Sequence, residues 1–322
     1  MSKYIILIVI LLLLYLIKDS NVEHYKPLPN NDFFNYLENN GYTINKNNKF
    51  ISKNNKLLNY NYNFNKKKPC KIVLHKDKLS KLLYSYNSSV PKFINITEYD
   101  ENYILNKISS FKFPLVVKPT DGSLGIGVET DIYKTHTLLK IIKKSLQKYN
   151  IIQIEEQVQG DGYRILVFNH KIIDIIKKNK ANIIGDGKTS VRQLIYNKYH
   201  NYSHKIKPNS RLLESQNVNL DSVVPFNRKV DISNIINMQN GAECERIDID
   251  KIPDINKNLF IDVTKKIDIF CTGIDFISTD INIPYTINKA RILELNYKPD
   301  ITIHLNNEPV KNDFYNTILK NM

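Results

Sequence analysis

Short apolar runs recur along most of the chain between polar segments, and their spacing predicts a mixture of strands and helices. The segment DKLSKLLYSYN carries apolar residues at helical spacing, and helices are also predicted over Thr135 to Tyr149, Ser190 to Tyr199 and Asp313 to Asn321. The runs KIVLH, IIQIEE, YRILVF and KIIDII, and later TGIDFISTDI and ARILELN, are short enough to be strands. Since strands and helices do not alternate strictly, the pattern favours an α+β fold over one doubly wound sheet.

The first apolar run differs from all the others. Tyr4 to Ile17 is unbroken between Lys3 and Lys18, yet it is shorter than the ~20 residues that span a bilayer. A cleavable signal peptide needs small residues at the cut, and the residues that follow supply only Ser20. We therefore expect residues 1–20 to be a membrane helix or an uncleaved signal anchor, with a cleaved signal as the alternative. Positive residues flank both ends and leave the orientation open; we expect a cytosolic main domain, with a secreted or luminal one as the alternative.

The next segment, residues 21–69, is polar and rich in Asn, Lys and Tyr. Its block NKLLNYNYNFNKKKP alternates aromatic and polar residues, which is typical either of an edge strand or of a low-complexity tether. We interpret the segment as a linker and a small cover. Residues 70–322 are then the main domain.

Composition and charge narrow the choice of partners. The formal net charge is +14, but the lysines are scattered rather than gathered into a stripe, and the bias toward Asn, Lys, Ile and Tyr is typical of an AT-rich genome, as in some giant viruses and parasites. A nucleic-acid partner is therefore not expected, and a basic structural or nucleic-acid-associated protein is the least favoured hypothesis. The three cysteines, Cys70, Cys244 and Cys271, have neither metal-ligand spacing nor a paired framework.

The stretch FPLVVKPTDGSLGIGV, from Phe113 to Val128, carries the clearest chemistry. A brief apolar run with Lys118 near its end opens into a glycine-rich loop, in which backbone N–H groups can approach phosphate oxygens because no Cβ blocks them. The spacing fits neither the Gly-x-Gly-x-x-Gly pattern nor the P-loop pattern. By itself the loop is also compatible with a plain hairpin turn.

Further blocks follow this loop in a fixed order: IIQIEEQVQGDGYRILV, IIGDGKTSVRQLI, INMQNGAE, and finally TGIDFISTDI with ILELNYKPDITIH. The ordered series resembles the ATP-grasp ligases, and particularly the ATP-grasp part of cyanophycin synthetase and of the bifunctional glutathione synthetases. The resemblance extends over about residues 74–305. It implies an ATP-grasp fold, in which two α/β subdomains clasp ATP, and an ADP-forming carboxylate–amine ligase acting on a small carboxylate and an amine such as an amino acid or peptide.

The resemblance also assigns nucleotide-binding positions. Lys118 and Lys76 match phosphate-binding lysines, although Lys78 lies close enough to compete with Lys76. Glu155 and Val158 match the hinge that binds adenine, and Asp161 lies beside the position of a ribose-binding acid. The full set of matching nucleotide positions is Lys76, Lys118, Gly122, Ser123, Gly125, Gly127, Glu155, Glu156, Val158 and Asp161.

Oxygen-donor side chains near the end of the chain are candidate metal ligands. Glu294 and Asn296 are two residues apart on a predicted strand, so they share one face. Carboxylate and amide oxygens suit Mg²⁺, but the pattern alone is also typical of polar residues at strand ends. The resemblance implies that Asp275, Glu294 and Asn296 together bind the metal. It implies two Mg²⁺ ions, with Mn²⁺ as an alternative.

At the catalytic positions that the resemblance implies, the chain departs in part from the family's pattern. Arg164 matches an arginine that faces the transferred phosphate or acyl group. On the next strand, where the family usually has another arginine, this chain has Lys178 between further lysines. His304 follows the metal strand and is expected to give support from behind the ligands. Because the substitutions concern the acceptor side, a catalytically silent module that binds a nucleotide or an acidic ligand is the alternative function. A homo-oligomer is left open.

Overall fold

The computed structural model describes residues 36, 38–45, 50–53, 56–59, 65–122, 125–200, 206–233, 243–301, 303–304 and 308–320. The apolar run Tyr4 to Ile17 and the loop residue Ser123 lie outside these ranges. No helix within the described ranges has the length and apolar character needed to cross a bilayer.

The strands of the described chain are β1 (Thr43–Asn45), β2 (Phe50–Lys53), β3 (Lys56–Asn59), β4 (Phe93–Ile96), β5 (Leu115–Pro119), β6 (Glu129–Ile132), β7 (Ile152–Glu156), β8 (Asp161–Phe168), β9 (Lys171–Asn179), β10 (Asn182–Ile184), β11 (Lys229–Asp231), β12 (Glu243–Ile247), β13 (Cys271–Ser278) and β14 (Arg291–Asn296). The α-helices are α1 (Lys67–Val73), α2 (Lys76–Ser85), α3 (Glu101–Ile108), α4 (Thr135–Leu146), α5 (Val191–Tyr199), α6 (Ser210–Ser215), α7 (Asp254–Ile267), α8 (Tyr285–Asn288) and α9 (Glu308–Lys320). A 3₁₀ turn spans Ile249–Lys251.

A four-stranded sheet with the order β4-β7-β5-β6 forms one wall of the molecule. Its neighbouring strands are antiparallel. Helices α3 and α4 pack on it through apolar residues one helical turn apart, such as Leu138 and Ile142, which are fully buried with Leu115 and Ile154 of the sheet. This core holds β5, and with it the predicted glycine loop, in place.

A five-stranded antiparallel sheet with the order β12-β9-β8-β13-β14 forms the second wall. Helices α2 and α7 contribute Leu79 and Phe260 to a core shared with Ile165 and other alternate residues of β8. Because successive residues of a strand point to opposite faces, Arg164 lies on the face away from this core.

A smaller unit pairs β10 with β11 and packs α5 against them. Ser190 accepts a hydrogen bond from the N–H of Gln193 and so begins α5 where the sequence predicts it. Asn209, which caps α6, donates to Thr130 Oγ1 at 3.1 Å and to Asp131 Oδ2 at 3.2 Å on β6. The small unit is therefore tied to the four-stranded sheet.

One predicted element is wrong, and several others were missed, among them helices α3 and α7. KIVLH is not a strand, because its first residues complete α1, where Pro69 and Val73 are buried and Leu74 is half exposed. Five residues are too few for the period to distinguish a strand from a helix. Helix α7 was not predicted, although Leu259, Val263 and Ile267 recur at intervals of four residues and are buried.

The predicted boundary between residues 69 and 70 falls inside α1. Just before this helix, Asn65 is buried, with 6% of its surface exposed. Its Nδ2 donates to the carbonyls of Cys271 and Tyr297, and its Oδ1 accepts from the N–H groups of Phe270 and Cys271. These four bonds attach the segment that precedes α1 to the five-stranded sheet.

Candidate active site

A cleft with a volume of about 230 Å³ lies between the four-stranded and the five-stranded sheet. Residues from both walls line it, and most of the predicted site residues are among them. Those that line the cleft are Lys76, Lys118, Gly122, Gly125, Glu155, Glu156, Val158, Arg164, Lys178, Asp275 and Glu294.

On the four-stranded wall, Lys118 Nζ lies 2.7 Å from Glu155 Oε1. Both side chains are almost fully buried, with 8% and 6% of their surfaces exposed. The register explains this pairing. Val116 of β5 lies opposite Glu155 of β7, and Lys118, two residues further along β5, points to the same face as Val116. A predicted phosphate-binding lysine and a predicted hinge acid thus form a buried ion pair.

The glycine loop is tied to the opposite wall by Lys76. Lys76 Nζ donates to the carbonyl of Gly122 at 2.6 Å and lies 3.2 Å from Glu294 Oε2. Gly125 and Gly127 both have positive φ angles, which favour glycine. Gly127 is not among the described residues that line the cleft; a Cβ there would lie 2.5 Å from the hydroxyl of Tyr149, so this glycine is required by packing.

The five-stranded wall presents its charges in a cross-strand row. In this row Arg246 lies opposite Ile176, Ile176 opposite Arg164, Arg164 opposite Asp275, and Asp275 opposite Glu294. Residues directly opposite each other share one face of a sheet, so the whole row lies on the face that carries the cleft. Arg164, Asp275 and Glu294 line the cleft, whereas Ile176 and Arg246 are not among its described lining residues.

Asp275 is the centre of this wall's electrostatics. Its Oδ1 lies 2.8 Å from Arg164 Nε and 2.7 Å from Lys178 Nζ. Burial opposes ionisation of the Asp275 carboxyl, but the charges of Arg164 and Lys178 outweigh that effect and hold its pKa below the usual range. Gly273 makes room for this arrangement, because a Cβ there would lie 2.8 Å from Arg164 Nη1.

Two further predicted residues, Asn296 and Asp161, are not among the described residues that line the cleft. Asn296 Nδ2 donates to Asp275 Oδ2 at 3.2 Å, and its amide oxygen is the atom suited to a cation. Asp161 is paired with Lys177 at 2.7 Å. A contact between Asp161 and a ribose therefore stays a prediction.

The donor set of Asp275, Glu294 and Asn296 fits a magnesium ion. Among the described residues no group of three or more His, Cys, Asp and Glu side chains is arranged to hold a metal. Mg²⁺ does not need such a cage, since it is usually bound through one or two carboxylates together with substrate phosphates and water. Two carboxylates directly opposite each other, with cations beside both, supply that kind of incomplete site.

A second charged cluster on this wall joins His304, which was expected to support the metal ligands, to Asp174 and Arg246, which the sequence did not single out. Asp174 Oδ1 accepts from Arg246 Nη1 at 2.8 Å, and Asp174 Oδ2 lies 2.8 Å from His304 Nδ1. Arg246 Nη2 also donates to the carbonyl of His304 at 2.8 Å. The available signal was Asp174 itself, a charge in the middle of the apolar run KIIDII.

Comparison with known proteins supports the resemblance inferred from the motifs. No family model matches the chain. The cyanophycin synthetase of Synechocystis sp. is 27% identical over 234 residues, which cover 67% of this chain and 26% of that protein. The glutathione biosynthesis bifunctional protein of Streptococcus agalactiae is 26% identical over 225 residues, which cover 64% of this chain and 30% of that protein. The chain thus spans less than a third of the length of these curated relatives.

Among solved structures, the bifunctional glutathione synthetase from Pasteurella multocida matches with a TM-score of 0.58 and 17% identity. The match covers 90% of this chain and 44% of that one. This likeness confirms the predicted α+β ATP-grasp fold. The predicted resemblance to cyanophycin synthetase and to bifunctional glutathione synthetase is confirmed as well.

Proposed function

We propose that this chain is an ATP-dependent carboxylate–amine ligase. A carboxylate oxygen of one substrate attacks the γ-phosphorus of ATP, and ADP leaves as an acyl phosphate forms. The amine nitrogen of a second substrate then attacks the acyl carbon, the bond from that carbon to the phosphate oxygen breaks, and the amine loses a proton to give an amide or peptide bond. The proposal rests above all on one observation. Lys118 and the glycines Gly122 and Gly125, which are suited to bind phosphate, line the same cleft as the charged residues Arg164, Asp275 and Glu294 of the other sheet.

The chain's own residues supply position and charge. Lys118 and Lys76, with the glycine loop between the walls, are suited to hold the ATP phosphates. Glu155 and Val158 lie where the hinge would contact adenine. Arg164 and Lys178 place two positive charges beside the transferred phosphate, where charge develops during both steps.

Asp275, Glu294 and Asn296 would hold Mg²⁺, and we propose two ions, with Mn²⁺ as an alternative. When bound, the metal neutralises phosphate charge and polarises the γ-phosphate. Without nucleotide, Lys76, Arg164 and Lys178 already balance the two carboxylates. The same cations are therefore in place to meet phosphates.

The experiment is a screen for ADP release with pools of amino acids, short peptides and polyamines. Lys178→Gln should lower kcat/KM by about 100-fold, because it removes a charge that stabilises the transferred group. Lys171→Gln is the matched control, since Lys171 also lies on β9 but is exposed and pairs with Asp313 at 3.0 Å, away from the cleft. If the wild type binds Mg-ATP but releases no ADP with any pool, the ligase proposal is refuted and the silent binding module replaces it.

We also propose that residues 1–20 attach the chain to a membrane with the main domain in the cytosol. The apolar run Tyr4 to Ile17 supports the attachment, whereas the lysines at both of its ends leave the orientation to the experiment. The full chain should stay in the membrane fraction after a high-salt wash, and a shortened variant beginning at Asn21 should not sediment with it. Release of the full chain by salt alone would show that the lysines make the attachment. Protection of the main domain from added protease in sealed vesicles tests the orientation.

A further inference from the structure

The cluster of Asp174, Arg246 and His304 has no role in the proposed nucleotide chemistry. Asp174 and His304 are buried, with side-chain exposures of 2% and 0%, whereas Arg246 keeps 29%. Burying a carboxylate is costly unless it is paired, and here each oxygen of Asp174 has its own partner. The buried members thus fix the partly exposed one.

The state of His304 sharpens this picture. Burial lowers the pKa of His304 in spite of the hydrogen bond with Asp174, so the ring is neutral near pH 7. A carboxylate only accepts, so Nδ1 carries the proton and donates to Asp174. The positive charge of the cluster therefore resides on Arg246, which Asp174 and the His304 carbonyl hold by two of its five N–H donors within the described residues.

The position of Arg246 in the cross-strand row indicates which substrate it can contact. The row runs from Glu294, beside Lys76 and the glycine loop, through Asp275 and Arg164 to Arg246. Strands lie about 4.8 Å apart, so the backbones of Arg164 and Arg246 are separated by about 10 Å. From the Glu294 end of the row to the Arg246 end, the residues would contact first the phosphate, then the acyl group and then the amine. Arg246 would therefore lie on the side of the amine-bearing substrate.

We propose that Arg246 is a specificity-determining residue that binds a carboxylate of the amine-bearing substrate, with Asp174 and His304 as positioning residues. The inference rests on the proposed ligase function for the order of the substrates. A planar guanidinium fixed from behind is suited to a paired contact with a carboxylate. The amine substrate is thus an amino acid or peptide with a free carboxylate rather than a simple amine or a polyamine.

The test measures binding, which does not need turnover. The full chain, saturated with Mg-ATP, is titrated calorimetrically with glycine, alanine, aspartate, glutamate, lysine and arginine, each as the free acid and as the carboxamide. The wild type should prefer at least one free acid by about tenfold or more, and Arg246→Gln should reduce this preference to about twofold or less. Arg246→Lys keeps the positive charge but loses the two parallel N–H donors of the guanidinium, so its preference for the free acid should lie between those of the wild type and Arg246→Gln. Arg192→Gln is the matched control, because Arg192 is exposed and pairs with Asp221 at 3.0 Å.

Two results would overturn the inference: no preference for any free acid in the wild type, or an unchanged preference in Arg246→Gln. If Arg246→Gln fails to fold, as judged by Mg-ATP binding, Arg246→Lys carries the comparison alone. Retained acid preference without ADP release in the wild type would refute the ligase proposal and leave this carboxylate site standing. ADP release without a preference for any free acid would leave the ligase proposal standing and refute the carboxylate site.

Discussion

The buried ion pair of Lys118 and Glu155 makes a prediction whose magnitude follows from the structure. At 2.7 Å the attraction is about 6 kcal/mol for an effective dielectric constant of about 20. Moving each charge out of water costs several kcal/mol, so the intact pair contributes little net stability compared with an apolar pair of the same size. Removing only one partner is different, because the other charge stays buried without compensation.

Lys118→Met should therefore lower the free energy of unfolding by about 3–5 kcal/mol, and Glu155→Met by a similar amount. The double variant Lys118→Met/Glu155→Met should lie within about 1–2 kcal/mol of the wild type. The coupling between the two sites would then be several kcal/mol, far above the value for an exposed pair. Lys66 with Asp268 is such an exposed pair, also at 2.7 Å, and provides the control cycle.

The assay is urea unfolding of all four proteins in each cycle, without nucleotide, followed by circular dichroism. Linear extrapolation gives the free energy of unfolding in water, and the slopes show whether the denatured state changed. Single variants that cost less than about 1 kcal/mol, or a double variant that costs as much as the sum of the singles, would refute the reasoning. Either result would mean that water reaches the pair and screens it.

Three more predictions concern single positions. Glu294→Gln removes one negative charge from the proposed metal site and should lower ADP formation by at least ~100-fold. ATP binding, measured by calorimetry, should change far less. Equal turnover of the variant and the wild type would show that the metal assignment is wrong. Gly273→Ala places a Cβ 2.8 Å from Arg164 Nη1 and should lower kcat with a stability loss of about 1–3 kcal/mol in the same urea assay; an unchanged kcat would mean that Arg164 moves freely. Burial raises the pKa of the Cys271 thiol to about 12, so a thiol-specific chromogenic reagent at pH 8 should modify the exposed Cys244 first and Cys271 only after unfolding; early modification of Cys271 would contradict its burial.

The sequence predicted the walls of the cleft better than the contacts inside it. The apolar runs that became β8, β9, β13 and β14 are brief, rich in β-branched residues and bounded by polar residues, so their identity as strands is a local property. The ordered motifs then indicated the fold. Helix α1 was mistaken for a strand because the burial of Pro69 and Val73 depends on what packs against them.

Pairings between distant residues were beyond the reach of the sequence. Lys118 and Glu155 were both predicted for the nucleotide site, but no local pattern indicates that they bind each other. Lys178 was assigned from its position alone, and its partner Asp275 is 97 residues further along the chain. Arg246 lies in no recognised motif, and its role depends on a carboxylate that enters from another strand.

Asn65 has an unusual status in a chain that is rich in asparagine. Its side chain uses both amide hydrogens and both lone pairs on main-chain groups next to the start of β13. Aspartate would lack the two donors, and glutamine would be one methylene too long for the same spacing. Replacing Asn65 would remove the four bonds that hold the residue just before α1 to the sheet that carries Asp275. An asparagine that the sequence does not set apart from the many others is therefore one that the fold requires.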